Sequence, residues 1–320
     1  MADFRNFEEY QIPVPGGDLA VLRWRATAAA APTAVLVHGI TGNALAWAAV
    51  AEAVAGRVNL LALDLRGRAY SRDIAPPPPW GLDIDAEDVI AVLDHAGLDS
   101  AVLVGHSLGA FIVCTAAARH PERVRSLVAV DGGARFGLPP DIDPDELLEL
   151  TVGPAVKKLR MVFADGEAYL DFHRAHPSFV GNWSPQLTAY LARDTFWLPD
   201  GRVISSCIEA AIRADGRQLI VDDFVNDAIN HTTCPVTLLC AERGILNQPQ
   251  GFYSDEVLDA AGIDRDRVAA QLIPGTNHYT VVGPGDGADS ITAAILAHAG
   301  AAAGGAPELT GSGIPLRGAA

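Results

Sequence analysis

Cysteine is scarce in this chain. The four residues, Cys114, Cys207, Cys234 and Cys240, show no C-x-x-C spacing. That pattern excludes a zinc ribbon and a dithiol redox motif. Three of the four fall in apolar segments and are expected as small core residues. Cys234 and His231 lie three apart, but no second pair accompanies them, so no metal site is expected. Positive charge is also in short supply: 23 Lys and Arg face 39 Asp and Glu, a net charge of -16. An acidic chain repels nucleic acid and anionic membranes, so neither is expected as a partner. Long apolar runs are missing: outside alanine-rich helix, none approaches the ~20 residues of a membrane span. The first residues, Met1 to Glu9, lack a basic region followed by an apolar one. A cytoplasmic location is the expectation. Gly-x-Gly-x-x-Gly is absent after the first strands, so no phosphate cradle and no cofactor are expected. No internal repeat is visible.

What remains is a chain of 320 residues, 49% hydrophobic, enough for a sizeable core. Glu8 to Val14 and Leu19 to Trp24 alternate apolar and polar residues around Pro15-Gly16-Gly17-Asp18, a hairpin signal. Buried strands are predicted at Ala34–Val37, Val58–Leu63, Ser100–Val104 and Ser126–Val130. Helices are predicted from Ala44 to Ala55 and from Asp83, as its cap, to Gly97. The prolines Pro76 to Pro79 predict a loop. This alternation implies a parallel sheet covered on both faces. From about Gly137 to Thr233 the rhythm breaks into a mostly helical, aromatic-rich segment punctuated by prolines that include Pro139 and Pro140. Alternation then resumes with Pro235–Cys240, Asp255–Ala261, Val268–Ile273 and Gly287–His298. The tail after Gly300 is rich in Ala, Gly and Pro and is expected to be disordered.

The most informative motif is Gly105-His106-Ser107-Leu108-Gly109, between a predicted strand and a predicted helix. Strand, G-x-S-x-G, helix is the context of a nucleophile elbow, a strained turn that exposes the serine hydroxyl. Gly105 and Gly109 leave room where side chains would collide.

Together with His38-Gly39 after one strand, Asp64-x-Arg66-Gly67 after the next, and Pro274-Gly-Thr-Asn-His278 near the end, this motif resembles the α/β-hydrolase superfamily, and in particular actinobacterial carboxyl-ester hydrolases. The resemblance spans roughly residues 8 to 299. It implies a mostly parallel eight-stranded sheet with helices on both faces and an inserted helical cap. Residues 1–136 and 234–299 would form the core, 137–233 the cap, and 300–320 the tail.

The resemblance makes Ser107 the nucleophile. A serine hydroxyl is weak until a base takes its proton. The order of the triad in this fold, Ser, acid, His, points to His278, because it alone among the later histidines follows a strand at the end facing Ser107. The acid is ambiguous. Relatives usually carry Asp after the seventh strand, where this chain has Gly244. Asp131, at the end of the strand after the elbow helix, is favoured; Glu242 is the alternative, and Asn247 a third, uncharged choice. The backbone N–H groups of Ile40 and Leu108 would form the oxyanion hole, at on the order of 3 kcal/mol per donor. His38, Asp64 and Arg66 read as loop-bracing residues, and Ala69 replaces a usual glycine. Trp47, Trp183 and Trp197 are candidate walls of a substrate pocket, although most cap aromatics would simply hold the cap together. Arg135, Arg160, His173 and Arg174 are candidates to meet a substrate carboxylate.

The expected activity is cofactor-free hydrolysis of a small carboxylic ester through an acyl-enzyme. Monoesters of aromatic acids, such as monoalkyl phthalates, and lactones are candidate substrates. A C–C bond hydrolase, a thioesterase or a perhydrolase would share the same catalytic group. A non-catalytic binding protein on the same scaffold is the rival of another class. A monomer or a homodimer is expected.

Overall fold

The computed structural model describes residues 3–74, 80–137, 143–151 and 153–299. The proline loop at 76–79, Pro139, Pro140 and the tail lie outside the described residues. Eight strands form one sheet in the order β1-β2-β4-β3-β5-β6-β9-β10. β1 (Glu8–Val14) and β2 (Gly17–Trp24) form the predicted hairpin, and β2 is the reversed strand, antiparallel to both β1 and β4. The chain then runs parallel through β3 (Thr33–Val37), β4 (Asn59–Leu63), β5 (Ala101–His106), β6 (Val124–Val130), β9 (Val236–Arg243) and β10 (Val268–Asn277). Between β6 and β9 lie β7 (Thr195–Trp197) and β8 (Val203–Ser205), a separate two-stranded hairpin. This is the α/β-hydrolase architecture that the motifs imply.

The parallel strands are apolar throughout because both faces are covered. On one face, α2 (Leu82–His95) and α3 (Leu108–Arg119) bury Val89, Leu93, Phe111 and Val113 against Leu61, Leu103 and Leu127. On the other, α1 (Ala48–Val54) and α11 (Asp286–Ala299) bury Val50, Ile291 and Ile295 against Leu36, Leu60 and Val104. A short helix, α10 (Asp255–Ala260), joins β9 to β10. Asp83 does not cap α2: the preceding Gly81 is the cap residue, and Asp83 lies in the first turn, paired with Arg119 at 2.7 Å.

The segment between β6 and β9 contains α4 (Pro144–Thr151), α5 (Gly153–Leu159), α6 (Gly166–Arg174), α7 (Pro185–Arg193), α8 (Glu209–Val221) and α9 (Asp223–His231). Its hairpin turns at Asp200-Gly201, with Gly201 at φ +84°. Its last helix, α9, packs on α3, where Val225, Ala228 and Ile229 join the sheet-covering core.

Residues 64–72 form the seat on which this segment rests. Asp64, fully buried, accepts from Ala44 N at 2.7 Å and from Arg193 Nη2 of α7 at 2.6 Å. Ser206 Oγ accepts from Ala69 N at 2.9 Å, and Gly67 O accepts from Ile208 N at 2.8 Å. Arg68 is 0% exposed and ion-pairs with Asp215 of α8, so it has no access to substrate. Ala69 sits at φ +41°, which explains why glycine is usual there. Arg66 Nη2 donates to Asp88 Oδ1 of α2 at 2.7 Å, both buried. His38 braces the same loop. Its Nδ1–H donates to Gly39 O at 2.7 Å and its Nε2 accepts from Leu65 N at 3.0 Å.

Two expectations follow. Asp88→Ala leaves the Arg66 guanidinium buried without its partner and should destabilise the fold by about 3–5 kcal/mol in urea unfolding. Burial pushes the His38 imidazole down from 6.5 to about 4, against the pull of Asp64. The unfolded chain therefore binds more protons between these limits. The His38 contribution is fully present above pH 6.5 and is lost as pH falls through about 4. Urea midpoints of the wild type should drop over that window by the equivalent of about 3 kcal/mol from this group, and His38→Gln should flatten the decline.

Candidate active site

The turn at Ser107 is forced by close backbone packing. Ser107 sits at φ +55°, ψ −121°, a conformation that costs a non-glycine residue about 1–3 kcal/mol. A Cβ on Gly105 would lie 2.2 Å from Gly109 O, and one on Gly109 would lie 2.2 Å from Val37 O. Gly132 is under the same constraint from the far side: its Cβ would lie 2.3 Å from Ser107 O. Three glycines thus let α3 start directly beneath the serine.

Around this turn the structure brings together Ser107, His278 and Asp131. His278 Nε2 lies 3.1 Å from Ser107 Oγ, and His278 Nδ1 lies 2.6 Å from Asp131 Oδ2. With the Nδ1 proton donated to the carboxylate, Nε2 is left to accept from the serine hydroxyl. Asp131 is fully buried, at φ +45°. Its second oxygen accepts from Ala241 N at 3.0 Å, and its own N–H donates to Leu239 O at 2.7 Å. β9 therefore holds the carboxylate in place.

The alternative acids point elsewhere. Glu242 is exposed, and its Oε2 accepts from Gly275 N at 2.9 Å. Asn247 Oδ1 accepts from Asn277 Nδ2 at 3.3 Å. At Gly244 a Cβ would lie 1.9 Å from Gln248 Nε2, so the glutamine amide occupies the space that a side chain there needs. Other histidines after Ser107 are engaged away from it: His120 with Glu87, His231 with Asp227 and His298 with Thr237.

The loop bearing Ile40 lies over the serine. A Cβ on Gly39 would lie 3.2 Å from Ser107 Cβ, and Arg68 Nε fixes the loop by donating to Ile40 O at 3.0 Å. Leu108 is the first residue of α3, where N–H groups have no intrahelical acceptor. Gly39 thus borders the serine and Ile40 follows it in the chain, while Leu108 follows Ser107 directly.

His106, the residue before the nucleophile, was not singled out from sequence. Its Nε2–H donates to His278 O at 2.8 Å, and the two rings lie 4.8 Å apart. Burial holds its imidazole well below the ordinary value, so it stays a neutral donor. Asn277 accepts from Tyr279 N and Thr280 N, each at 3.0 Å, and its Nδ2 donates to Ser178 O, between β6 and β9, at 3.0 Å. Phe252 and Tyr279 set rings 4.8 and 5.6 Å from that of His278.

The three tryptophans do not form a pocket wall. Trp47 is 0% exposed, because the 3-10 turn Ala44–Trp47 drives its ring into the core on the α1 and α11 face. Trp197, at 57% exposure, lies on the surface beside Gly166 at the start of α6. Trp183 packs in a small cluster with Tyr169, Leu187 and Leu191, and the Arg174 guanidinium lies 4.9 Å from its ring centroid. The candidate carboxylate partners are also occupied: Arg135 by Asp223, Arg160 by Glu209, Arg174 by Glu167 and Asp171. His173 Nδ1–H donates to Tyr169 O at 2.8 Å. Among the described residues no group of three or more His, Cys, Asp or Glu could hold a metal, and no helix is long and apolar enough to cross a membrane.

Comparison with known proteins bears on the fold. Residues 32–174 match the alpha/beta hydrolase fold family. The chain is 35% identical to a 2-(acetamidomethylene)succinate hydrolase of Mesorhizobium japonicum over 254 residues, 78% of this chain and 82% of that protein. It is 30% identical to an N-formylmaleamate deformylase of Pseudomonas putida over 227 residues, 68% of this chain and 72% of that protein. The crystal structure of E-2-(acetamidomethylene)succinate hydrolase superimposes with a TM-score of 0.72 at 22% identity, covering 93% of this chain and all of that one. With such identity sustained along most of two relatives, and with their sheet, this chain belongs to the α/β-hydrolase family.

Proposed function

We propose that the protein is a serine hydrolase of carboxylic acid derivatives, small esters first among them, acting through an acyl-enzyme. The observation that carries this reading is the continuous hydrogen-bond chain Asp131–His278–Ser107. Ser107 Oγ attacks the carbonyl carbon while His278 Nε2 takes its proton. The oxyanion rests on the N–H groups of Ile40 and Leu108. Asp131 stabilises the imidazolium and fixes its tautomer. The tetrahedral intermediate collapses, the C–O bond to the alcohol breaks, and His278 returns the proton to the leaving oxygen. Water then attacks the acyl carbon and gives a proton to His278; the bond to Ser107 Oγ breaks, His278 returns the proton to that oxygen, and the acid leaves. Neutral His106 holds the backbone of His278 in register as a positioning residue. Monoesters of aromatic diacids and lactones fall within this reading.

A second reading is hydrolysis of an amide-type bond. It is favoured by the relatives, one named a deformylase of N-formylmaleamate and the other a hydrolase of 2-(acetamidomethylene)succinate. The same residues serve both reactions; the difference is whether His278 protonates an oxygen or a nitrogen leaving group.

A 4-nitrophenyl ester assay tests the first reading. Ser107→Ala should fall to the background rate. Asp131→Asn should lower kcat by about four orders of magnitude with the fold intact, whereas Glu242→Gln should stay within about threefold of wild type, because its carboxylate faces Gly275. Equal rates in wild type and Ser107→Ala would remove the serine from the chemistry. Comparing acetate esters with N-acyl analogues of equal size then separates the two readings by kcat/KM.

A further inference from the structure

The loop after β9, residues 244–248, supplies no acid to His278, yet it is tied to the base. Its Asn247, at φ +59°, places Oδ1 3.3 Å from Asn277 Nδ2. Its Ile245 carbonyl accepts from Ser178 Oγ. Ser178 is fully buried, and its own carbonyl accepts from Asn277 Nδ2 at 3.0 Å. Asn182 Nδ2 reaches that carbonyl only at 3.4 Å. Three stretches of chain thus meet at one amide: residues 176–182 between β6 and β9, the loop after β9, and the end of β10. That amide belongs to the residue immediately before His278.

Asn277 is buried, and both ends of its side chain are in use. The ends are told apart by their partners: Oδ1 faces two N–H donors, Tyr279 N and Thr280 N, while Nδ2 faces two oxygens. The Oδ1 end shapes the turn after β10, helped by the Asn277 N–H, which donates to Thr280 Oγ1 at 2.8 Å. The Nδ2 end adds nothing to that turn and runs only to the two neighbouring stretches. The chain needs such a hold at this point. β10 loses its register with β9 after Ile273 and pairs again only at Asn277, opposite Arg243. Pro274, Gly275 and Thr276 lie in the gap, with Gly275 at φ +72°. A single paired residue therefore stands between the irregular part of the strand and the backbone of the base.

We propose that Asn277 is a positioning residue whose Nδ2 end carries the docking of residues 176–182 through to the base, so that His278 keeps its 3.1 Å contact with Ser107 only while Ser178 O and Asn247 hold the amide. This rests on the serine-hydrolase reading for its effect on rate, and on the hydrogen bonds alone for its effect on the His278 ring. Loosening residues 176–182 then slows the step in which His278 takes the proton, rather than the binding of substrate.

Asn277→Asp is the discriminating variant. It has the same shape and keeps the Oδ1 acceptor for Tyr279 N and Thr280 N. Asn247 can turn its amide over and donate to the second oxygen, but that oxygen faces the Ser178 carbonyl with no proton to give. With 4-nitrophenyl acetate as probe, kcat should fall by about tenfold to a hundredfold, the cost of a base misplaced by up to about an ångström, and KM should stay within about twofold. A residue that only shapes the turn would leave kcat unchanged. The second readout is the far-downfield proton resonance of His278 Nδ1–H, which the 2.6 Å bond to buried Asp131 should keep sharp in the wild type. It should broaden or vanish in Asn277→Asp. An unchanged resonance overturns the tie, and so does an unchanged kcat in a protein that turns the ester over. If Asn277→Asp does not fold, Asn247→Gly decides, because it removes one Nδ2 partner at a φ that glycine accepts. It should broaden the same resonance and lower kcat by about threefold, the order of one neutral hydrogen bond; identity with wild type in both overturns the proposal. If the wild type turns over no ester, yet its resonance is present and is lost in Asn277→Asp, the serine-hydrolase reading fails and the positioning role stands.

Discussion

The structure depends on how closely three stretches of backbone approach one another beneath Ser107. The start of α3 passes within van der Waals limits of the end of β3, and the chain leaving β6 passes equally close to the serine carbonyl. Only hydrogen fits at Gly105, Gly109 and Gly132. This packing holds the serine in a left-handed conformation that it would not adopt in a free chain. Strain of this kind persists only where the surroundings over-determine it, and here the neighbours are core strands with both faces covered.

The same economy governs the carboxylate. Asp131 also has a positive φ, and one of its oxygens is tied to the backbone of β9. The imidazole between acid and serine is fixed from three sides: by Asp131 at Nδ1, by His106 at its carbonyl, and by the Asn277 turn that shapes its loop. Because each tie runs to a strand or to a residue buried beside one, the spacing of the three groups depends little on the exposed loops.

Much of this was legible in the sequence, and the reason is steric. A glycine that must remain glycine leaves a readable mark, and so does a strand that must be apolar on both faces; these gave the sheet, the turn and Ser107. His278 and the preferred acid Asp131 came from chain order and strand ends. The acid stayed ambiguous because the sequence around Gly244 cannot reveal that the Gln248 amide folds back into the gap. The segment between β6 and β9 was the least legible part. The candidate tryptophans looked like pocket walls because large rings are equally useful for filling a core, as Trp47 does, or for lying on a surface, as Trp197 does. The hairpin of β7 and β8 was marked by Asp200-Gly201, but its strands are too short for alternation to register.

The seat at residues 64–72 has a consequence for how this scaffold varies. Arg193 reaches back to Asp64, and Asp215 reaches down to Arg68, so the covering segment is joined to the hydrolase core by charges enclosed in protein. Ion pairs of this sort tolerate neither partner alone. A new covering segment grafted onto this core, in the laboratory or by recombination, would have to supply a matching guanidinium and a matching carboxylate at the junction. The loop after β4 thus acts as a compatibility key, and it limits which lids the same catalytic chassis can accept.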